Sequence, residues 1–176
     1  MSSLSLYKDL TEDIKLAAEA TTLPGCLCVI IILASGSEVT MALEAKDKLH
    51  DAGLAVRVVS IPCFELFEKE TPAYKNKILG SGNILKVGIE AGITQGWNKY
   101  IGDDGVFIGM SSFGASGKAE DLYKHFGITS ENVVKQVLSE IKSRRRSAIN
   151  QYKDKDDFFD EVDQYKEKVM KDAGDE

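Results

Sequence analysis

Residues 27–38 read LCVIIILASGSE, and the fold prediction starts from them. Residues 27–34 are continuously apolar and β-branched, without the alternation of a half-exposed strand. This pattern is typical of a central parallel strand that helices cover on both faces. A turn of small residues follows at once, and residues 39–52 have the pattern of a helix that Gly53 closes. Strand, turn and helix in this order indicate a βα unit.

Three further apolar segments extend the pattern and predict strands at residues 56–61, 86–91 and 106–110. Between and after them, helical spacing predicts helices at residues 65–70, 72–79, 119–126 and from 129 to beyond 141. Residues 92–102 combine glycine with aromatics and show little periodicity. Because strands and helices alternate, we expect a three-layer α/β/α domain with a mostly parallel sheet.

Length and charge divide the chain into a body and two ends. The chain has 176 residues, 43% of them hydrophobic, enough for one packed domain with extra segments. The net charge of −6 lies mainly in residues 148–176, so the body is nearly neutral. A near-neutral body has no basic surface for a nucleic-acid backbone, so we expect no nucleic-acid partner. The predicted divisions are 1–25, 26–147 and 148–176.

Both ends carry helical patterns outside the predicted sheet. Residues 5–20 place apolar side chains at helical spacing, and the breaker sequence TTLPG follows at residues 21–25. The acidic tail repeats apolar residues at heptad-like spacing, which predicts an amphipathic helix too narrow for a core of its own. Two such ends on a small domain suggest an interaction surface.

The cysteines and the N-terminus indicate the compartment. Cys26, Cys28 and Cys63 form no disulfide framework, which favours a reducing setting. Only His50 and His125 could complete a metal site with the Cys26–Cys28 pair, and buried thiols are the favoured interpretation. The first residues lack the basic region of a signal peptide, and residues 27–34 are too short to cross a bilayer. We expect a soluble, cytoplasmic protein without a membrane partner.

The strand ends hold the one candidate ligand site. A helix that begins after Ser35-Gly36-Ser37 points free N–H groups outward and can hold an anion. The alternative is that Ser37 caps the helix and Glu38 complements its dipole. There is no phosphate-loop lysine and no G-x-G-x-x-G spacing. The candidate anion or regulatory site comprises Ser35, Gly36, Ser37, Glu38, Gly114, Ala115 and Ser116.

The aromatic residues of this region have a structural interpretation. Trp97 and Tyr100 are predicted packing anchors, and Phe113 is a predicted packing or interface residue. Glu90 follows an apolar strand and needs a partner if it is buried, such as Lys99 or a backbone donor.

Other polar clusters give no recognisable chemistry. Asp103 and Asp104 are expected to form a turn rather than a metal site, because no third ligand is near in sequence. The basic run at residues 142–146 suits a helix C-terminus. No nucleophile, base and oxyanion set is visible, and Cys63 beside His50 or His125 is the only nucleophile pair to consider.

Four blocks, in one order and at close spacing, resemble the C-terminal domain of transketolase over residues 29–141. They read ILASGSEVTMALEA, VRVVSIPCFELFEK, VGIEAGITQGWNKYIG and VFIGMSSFGASGKAEDLYKHFGIT. The resemblance implies a part in ketol transfer between sugar phosphates in the pentose phosphate pathway. In that family thiamine diphosphate and a divalent cation, magnesium or calcium, lie between two other domains at a dimer interface. The motifs for those tasks have no counterpart here, so no catalytic, cofactor-binding or metal-binding residue is carried over.

The ends depart from the family pattern. The family has a short antiparallel edge strand before the first parallel one, where residues 8–22 here have a helical pattern. The acidic tail is not a recognised family feature. The chain therefore resembles the C-terminal piece of a split transketolase, a stand-alone relative, or an excised domain.

Three functions compete on this basis. The first is a non-catalytic transketolase domain that supports a catalytic chain through dimer or partner contacts and a regulatory site, in a homo- or hetero-oligomer. The second is an anion-, nucleotide- or protein-binding module built on the strand ends. The third is a stand-alone enzyme that uses Cys63.

Overall fold

The computed structural model describes residues 29–82 and 84–153, with side chains as far as residue 147. The predicted helix at residues 5–20 and most of the tail lie outside these residues. The secondary structure comprises β1 (Val29–Ala34), α1 (Glu38–Asp51), β2 (Val56–Ser60), α2 (Phe64–Lys69), α3 (Pro72–Leu79), β3 (Ile84–Ile89), α4 (Asn98–Ile101), β4 (Val106–Ile108), α5 (Ala119–His125) and α6 (Ser130–Lys153).

The four strands form one parallel sheet in the order β2-β1-β3-β4. The central strand, β1, is paired along its length on both sides, with Ile32 opposite Val58 of β2 and Val87 of β3. Its side chains from Ile30 to Ala34 have no exposed surface. The apolar run thus forms the fully covered central strand that its sequence predicts.

Helices cover the two faces of this sheet. Because side chains alternate along a strand, Ile30 and Ile32 of β1 face one side, and Ile31 and Leu33 face the other. The first pair packs against α1 and α6, and the second against residues of α2, α3 and α4. The prediction of a three-layer α/β/α domain is confirmed.

Helix α1 packs closely on the sheet because two of the residues on its buried face are alanines. Ala42 and Ala45 have no exposed surface, and Leu49, one turn further on, fills the remaining space. Burial of a leucine side chain contributes about 1.5–3 kcal/mol. Lys48 of α1 donates to Ser130 Oγ at 2.9 Å, so the start of α6 is tied to α1 on this face.

Several predicted boundaries are wrong by one or two residues. The third strand begins at Ile84, not at residue 86, because its register pairs it with β1 from Val29 onward. The fourth strand ends at Ile108, before Gly109, and the next backbone hydrogen bond joins Met110 N to Gly92 O. Residues 98–101, predicted to be irregular, form the short helix α4.

The glycine that closes α1 was predicted correctly, although the helix ends at Asp51, one residue earlier than predicted. Gly53 has a φ of 80°, in the left-handed region that glycine adopts without strain. Its N–H donates to the carbonyl of His50 at 2.8 Å, which closes the helix.

The chain divides into two compact units, Met1–Ile141 and Lys142–Glu176. The divisions predicted at residues 25 and 147 stay predictions. Within residues 29–82 and 84–153, no helix is both long and apolar enough to span a membrane.

Candidate functional site at the carboxyl ends of the strands

The turn between β1 and α1 brings two serines and a glutamate to the carboxyl edge of the sheet. The N–H of Glu38 donates to the carbonyl of Ser35 at 3.2 Å, so the turn is tight. Ser37 occupies the N-cap position but has helical backbone angles, and its side chain makes no capping hydrogen bond. The predicted cap is wrong because the Ser37 hydroxyl contacts Glu38 and Tyr123 instead.

Glu38 is a buried acid whose two carboxylate oxygens are both hydrogen-bonded. Only 3% of its surface is exposed. The Tyr123 hydroxyl donates to Oε1 at 2.8 Å, and the Ser37 hydroxyl donates to Oε2 at 3.2 Å. These bonds offset the cost of burying the carboxylate.

The same contacts change the pKa of Tyr123. The Ser37 hydroxyl, 2.9 Å from the Tyr123 hydroxyl, lowers the pKa of Tyr123, but burial and the carboxylates of Glu38 and Glu90 outweigh it, so the pKa lies above its ordinary value. Tyr123 therefore remains a protonated donor across the physiological range.

Glu90, directly after β3, is the second carboxylate at this edge. The Ser35 hydroxyl donates to its Oε2 at 2.7 Å, and its backbone N–H donates to the carbonyl of Ile108 at 3.1 Å. The prediction that Lys99 could be the partner of Glu90 is wrong, because Lys99 pairs with Glu68. The partner is a serine that parallel strand order brings to the same edge.

This arrangement favours a carboxylate cluster over an anion site. The hydroxyls of Ser35 and Ser37 are already donated to carboxylates, and a methyl group at Gly36 would lie 3.7 Å from Glu38 Oε2. A bound phosphate would approach Glu38 and Glu90, whose charges repel it.

The second half of the predicted anion site lies in the exposed loop after β4. Gly114, Ala115 and Ser116 are all exposed. Within the described part of the chain, no hydrogen bond joins them to residues 35–38. The anion site stays a prediction.

The predicted aromatic residues lie in two different environments. Trp97 and Tyr100 are 3% and 6% exposed and pack edge to face at a centroid distance of 6.5 Å. Phe64 stacks on Tyr100 at 5.1 Å. Phe113 is 98% exposed, and Ile93, which follows the neighbouring strand, is 54% exposed. The carboxyl end of the sheet therefore carries exposed apolar side chains.

A charged cluster around Glu68 was not anticipated from the sequence. Its carboxylate accepts hydrogen bonds from Tyr100 at 2.8 Å, from Lys75 at 3.2 Å and from Lys99. The bonds from Lys99 and Tyr100 lower the pKa of Glu68 to about 2. Burial and the bond to Glu68 raise the pKa of Tyr100 to about 12. The cluster joins α2, α3 and α4, and no local spacing signals it because Tyr100 lies 32 residues beyond Glu68.

The cysteine chemistry considered from the sequence gains no support from these contacts. The Cys63 thiol donates to Oε2 of Glu65 at 3.3 Å, so its described partner is an acid and not a histidine. The ring of His125 contacts Phe126. Among residues 29–82 and 84–153, no three histidine, cysteine or acidic side chains group as metal ligands.

Comparison with known proteins identifies the domain type. Residues 27–129 match the family described as the transketolase-like TK C-terminal domain. A transketolase of Sinorhizobium medicae is 48% identical over 110 residues, which are 62% of this chain and 16% of that protein. The chain thus spans about a sixth of the length of the curated relatives that it matches.

Solved structures agree with this assignment. A Pichia stipitis transketolase in complex with sedoheptulose 7-phosphate superposes with a TM-score of 0.61 at 35% identity, over 67% of this chain and 17% of that one. A split-gene transketolase, described as an inactive β4 tetramer, shares the fold with a TM-score of 0.50 at 20% identity, over 65% of this chain and 39% of that one. Since the family match covers more than half of its residues, the chain belongs to the transketolase C-terminal domain family.

Proposed function

We propose that this chain serves as the non-catalytic C-terminal domain or subunit of a transketolase, an enzyme that transfers ketol groups between sugar phosphates in the pentose phosphate pathway. The observation that carries the proposal is the match of residues 27–129 to a domain that makes up only a sixth of the relatives. The remaining five sixths of such an enzyme must come from another chain or from further sequence. The role of this domain is then to make contacts and not to react.

The side chains at the strand ends support a non-catalytic role for this chain. A diphosphate needs hydrogen-bond donors and positive charge, whereas Ser35 and Ser37 donate to the carboxylates of Glu90 and Glu38. These residues do not fit thiamine diphosphate. We therefore propose that the cofactor and its magnesium or calcium ion are held by the catalytic partner, and we assign no step of the reaction to this chain.

The contact surface that we propose is the apolar pair of Phe113 and Ile93. Phe113 is 98% exposed, which leaves almost all of a phenylalanine side chain in water. Aromatic side chains that fill a partner's pocket often carry much of the binding energy of an interface. Both residues follow the carboxyl ends of neighbouring strands, so one partner surface could cover them together.

We propose that the chain works as a homo- or hetero-oligomer. The structural neighbour described as an inactive β4 tetramer of a split-gene transketolase motivates this proposal, because it is a related fold without activity in that assembly. We further propose a cytoplasmic location, since three cysteines without a disulfide framework favour a reducing compartment.

The proposal is tested first on the isolated chain. With a ketose phosphate donor, an aldose phosphate acceptor, thiamine diphosphate and Mg²⁺, we expect no ketol transfer above the rate without protein. Turnover by this chain alone would overturn the non-catalytic role.

Capture from an extract of the native cells then tests the partner. We expect the tagged chain to retain a longer, thiamine-diphosphate-dependent protein, identified by mass spectrometry and by transketolase activity in the eluate. F113S should lose most of this capture. The control L66S changes another exposed apolar residue, 62% exposed on α2, and should retain it. Equal capture by both variants would show that Phe113 does not contribute to the interface with the partner.

A further inference from the structure

Residues 111–126, between β4 and α6, are fastened to the domain at two fixed points. The segment comprises an exposed loop and then the helix α5. Just before it, the N–H of Met110 donates to the carbonyl of Gly92 at 2.7 Å. Just after it, the carbonyl of Gly127 accepts from Asn132 Nδ2 at 2.8 Å. These two hydrogen bonds hold the ends of the segment in place.

Between these points, the backbone of the segment bonds mainly within itself. At the start of α5, the N–H of Leu122 donates to the carbonyl of Lys118 at 3.0 Å. Within the described part of the chain, the backbone hydrogen bonds that leave residues 111–126 come only from the N–H groups of Gly127 and Ile128, which follow it directly. The segment can therefore move without breaking the hydrogen bonds of the sheet.

One side chain supplies the hydrogen bonds between the segment and the β1–α1 turn. The Tyr123 hydroxyl donates to Glu38 Oε1 at 2.8 Å and lies 2.9 Å from the hydroxyl of Ser37. Among the side chains that the structure describes, no other hydrogen bond and no ion pair joins residues 111–126 to the rest of the domain. The hydroxyl of Tyr123 thus acts as a latch.

Apolar packing holds the segment less firmly than it holds the neighbouring helix. No side chain of α5 is fully buried. Tyr123 and Phe126 are half-buried and pack against the margin of the core. In α6, by contrast, Val133 and Val137 have no exposed surface. Because regions with few buried apolar contacts open at a lower cost than the core, this segment can open before the sheet unfolds.

We propose that residues 111–126 form a flap that opens while the sheet stays folded, with the Tyr123 hydroxyl as its latch and Gly127 as one hinge. Gly127 has a φ of 68°, and a glycine absorbs large backbone rotations without strain. Opening gives water access to Glu38, which is 3% exposed in the closed state, at the edge where open α/β sheets commonly bind ligands. The flap also carries Phe113, although its opening does not depend on the partner contact proposed for that residue.

Hydrogen exchange in low concentrations of urea tests the opening. We expect the amides of Leu122 and Phe126 to exchange at least about 100-fold faster than the amide of Val87 in β3. Their rates should depend little on urea, because opening of the flap exposes little surface compared with unfolding. If the α5 amides share the rate and the urea dependence of Val87, the segment unfolds only with the sheet and the proposal is wrong.

The substitution Y123F tests the latch, because it removes the hydroxyl and keeps the ring. We expect exchange at Leu122 and Phe126 to accelerate about 5- to 150-fold, since a buried carboxylate loses its donor in the closed state. The control L49V removes one methylene from a fully buried site on α1. It should accelerate exchange at Val87 and leave the α5 amides unchanged.

Two results would overturn the proposal. One is that the α5 amides do not respond to Y123F, which would mean that the hydroxyl does not hold the flap closed. The other is that L49V accelerates the α5 amides as much as the amide of Val87, which would mean that both open in one global event.

Discussion

The hydroxyl of Tyr123 donates a hydrogen bond of 2.8 Å to the buried carboxylate of Glu38, although 85 residues separate the two in sequence. Glu38 begins α1, and Tyr123 lies in α5, a helix of seven residues with no fully buried side chain. A short helix without a buried face depends on such contacts for its position. The bond therefore joins α5 to the turn that follows the central strand.

Y123F should destabilise the protein by about 1–3 kcal/mol, because it leaves one oxygen of a buried carboxylate without its donor. Urea unfolding followed by circular dichroism measures the change. The matched control is Y74F, at a tyrosine that is 45% exposed, where we expect a change within about 0.5 kcal/mol. Equal effects of the two substitutions would show that the Glu38 contact contributes little.

The Glu68 cluster should make stability depend on pH at the acid end. Folding lowers the pKa of Glu68 from 4.5 to about 2, so its contribution is complete above pH 4.5 and is lost as the pH falls toward 2. We expect E68Q to reduce the loss of stability over this range, measured as the difference in Tm between pH 5 and pH 2.5. E120Q, at an exposed acid of α5, should leave that difference unchanged.

At alkaline pH, the stability of the protein should depend on Tyr100, which belongs to the same cluster. Folding raises its pKa from 10.0 to about 12, so its contribution is complete below pH 10 and is lost as the pH rises toward 12. We expect Y100F to flatten the stability profile between pH 10 and 12. An unchanged profile would mean that Tyr100 ionises equally in the folded and unfolded chain.

Gly109 should tolerate no side chain. A methyl group there would lie 2.3 Å from the Phe107 ring and 2.6 Å from the carbonyl oxygen of Gly92, which is backbone and cannot rotate away. We expect G109A to cost about 1–3 kcal/mol through overpacking. G114A places the methyl 3.8 Å from its nearest neighbour, the end of the Met110 side chain, and should be close to neutral in the same unfolding experiment.

Thr129 should contribute to the start of α6. Its hydroxyl accepts the N–H of Asn132 at 3.2 Å, as the sequence pattern of a helix start suggests. T129A should cost about 1 kcal/mol in unfolding free energy, and T129S, which keeps the oxygen, should recover most of it. If both variants lose the same stability, the methyl group and not the hydroxyl supports this position.

The fold was predictable because its main signals are local. The run in β1 lacks polar positions and so had to be covered on both faces, and Pro72 and the residue before it fix the start of α3 where it was predicted. Strand ends were less predictable. The start of β3 is set by pairing with β1, a contact between residues 55 apart that no local pattern encodes.

The candidate site was only partly predictable for the same reason. Sequence placed Ser35, Ser37 and Glu38 at the strand ends, but it did not show that their partners are Glu90 and Tyr123. The partner of a buried polar group depends on which strand ends become neighbours, and that follows from the strand order. Local capping rules therefore gave Ser37 the wrong role.

The central position of β1 has a consequence for synthesis on the ribosome. It is the first described strand to emerge, yet its partners follow late: Val56 pairs with Ile30 across 26 residues, and Ile84 with Val29 across 55. Until both arrive, the sequence VIIILA is exposed with high β-propensity and no charge. We therefore expect the nascent chain to pass through an aggregation-prone stage until β3 has left the exit tunnel, with chaperone binding at this stretch as the safeguard.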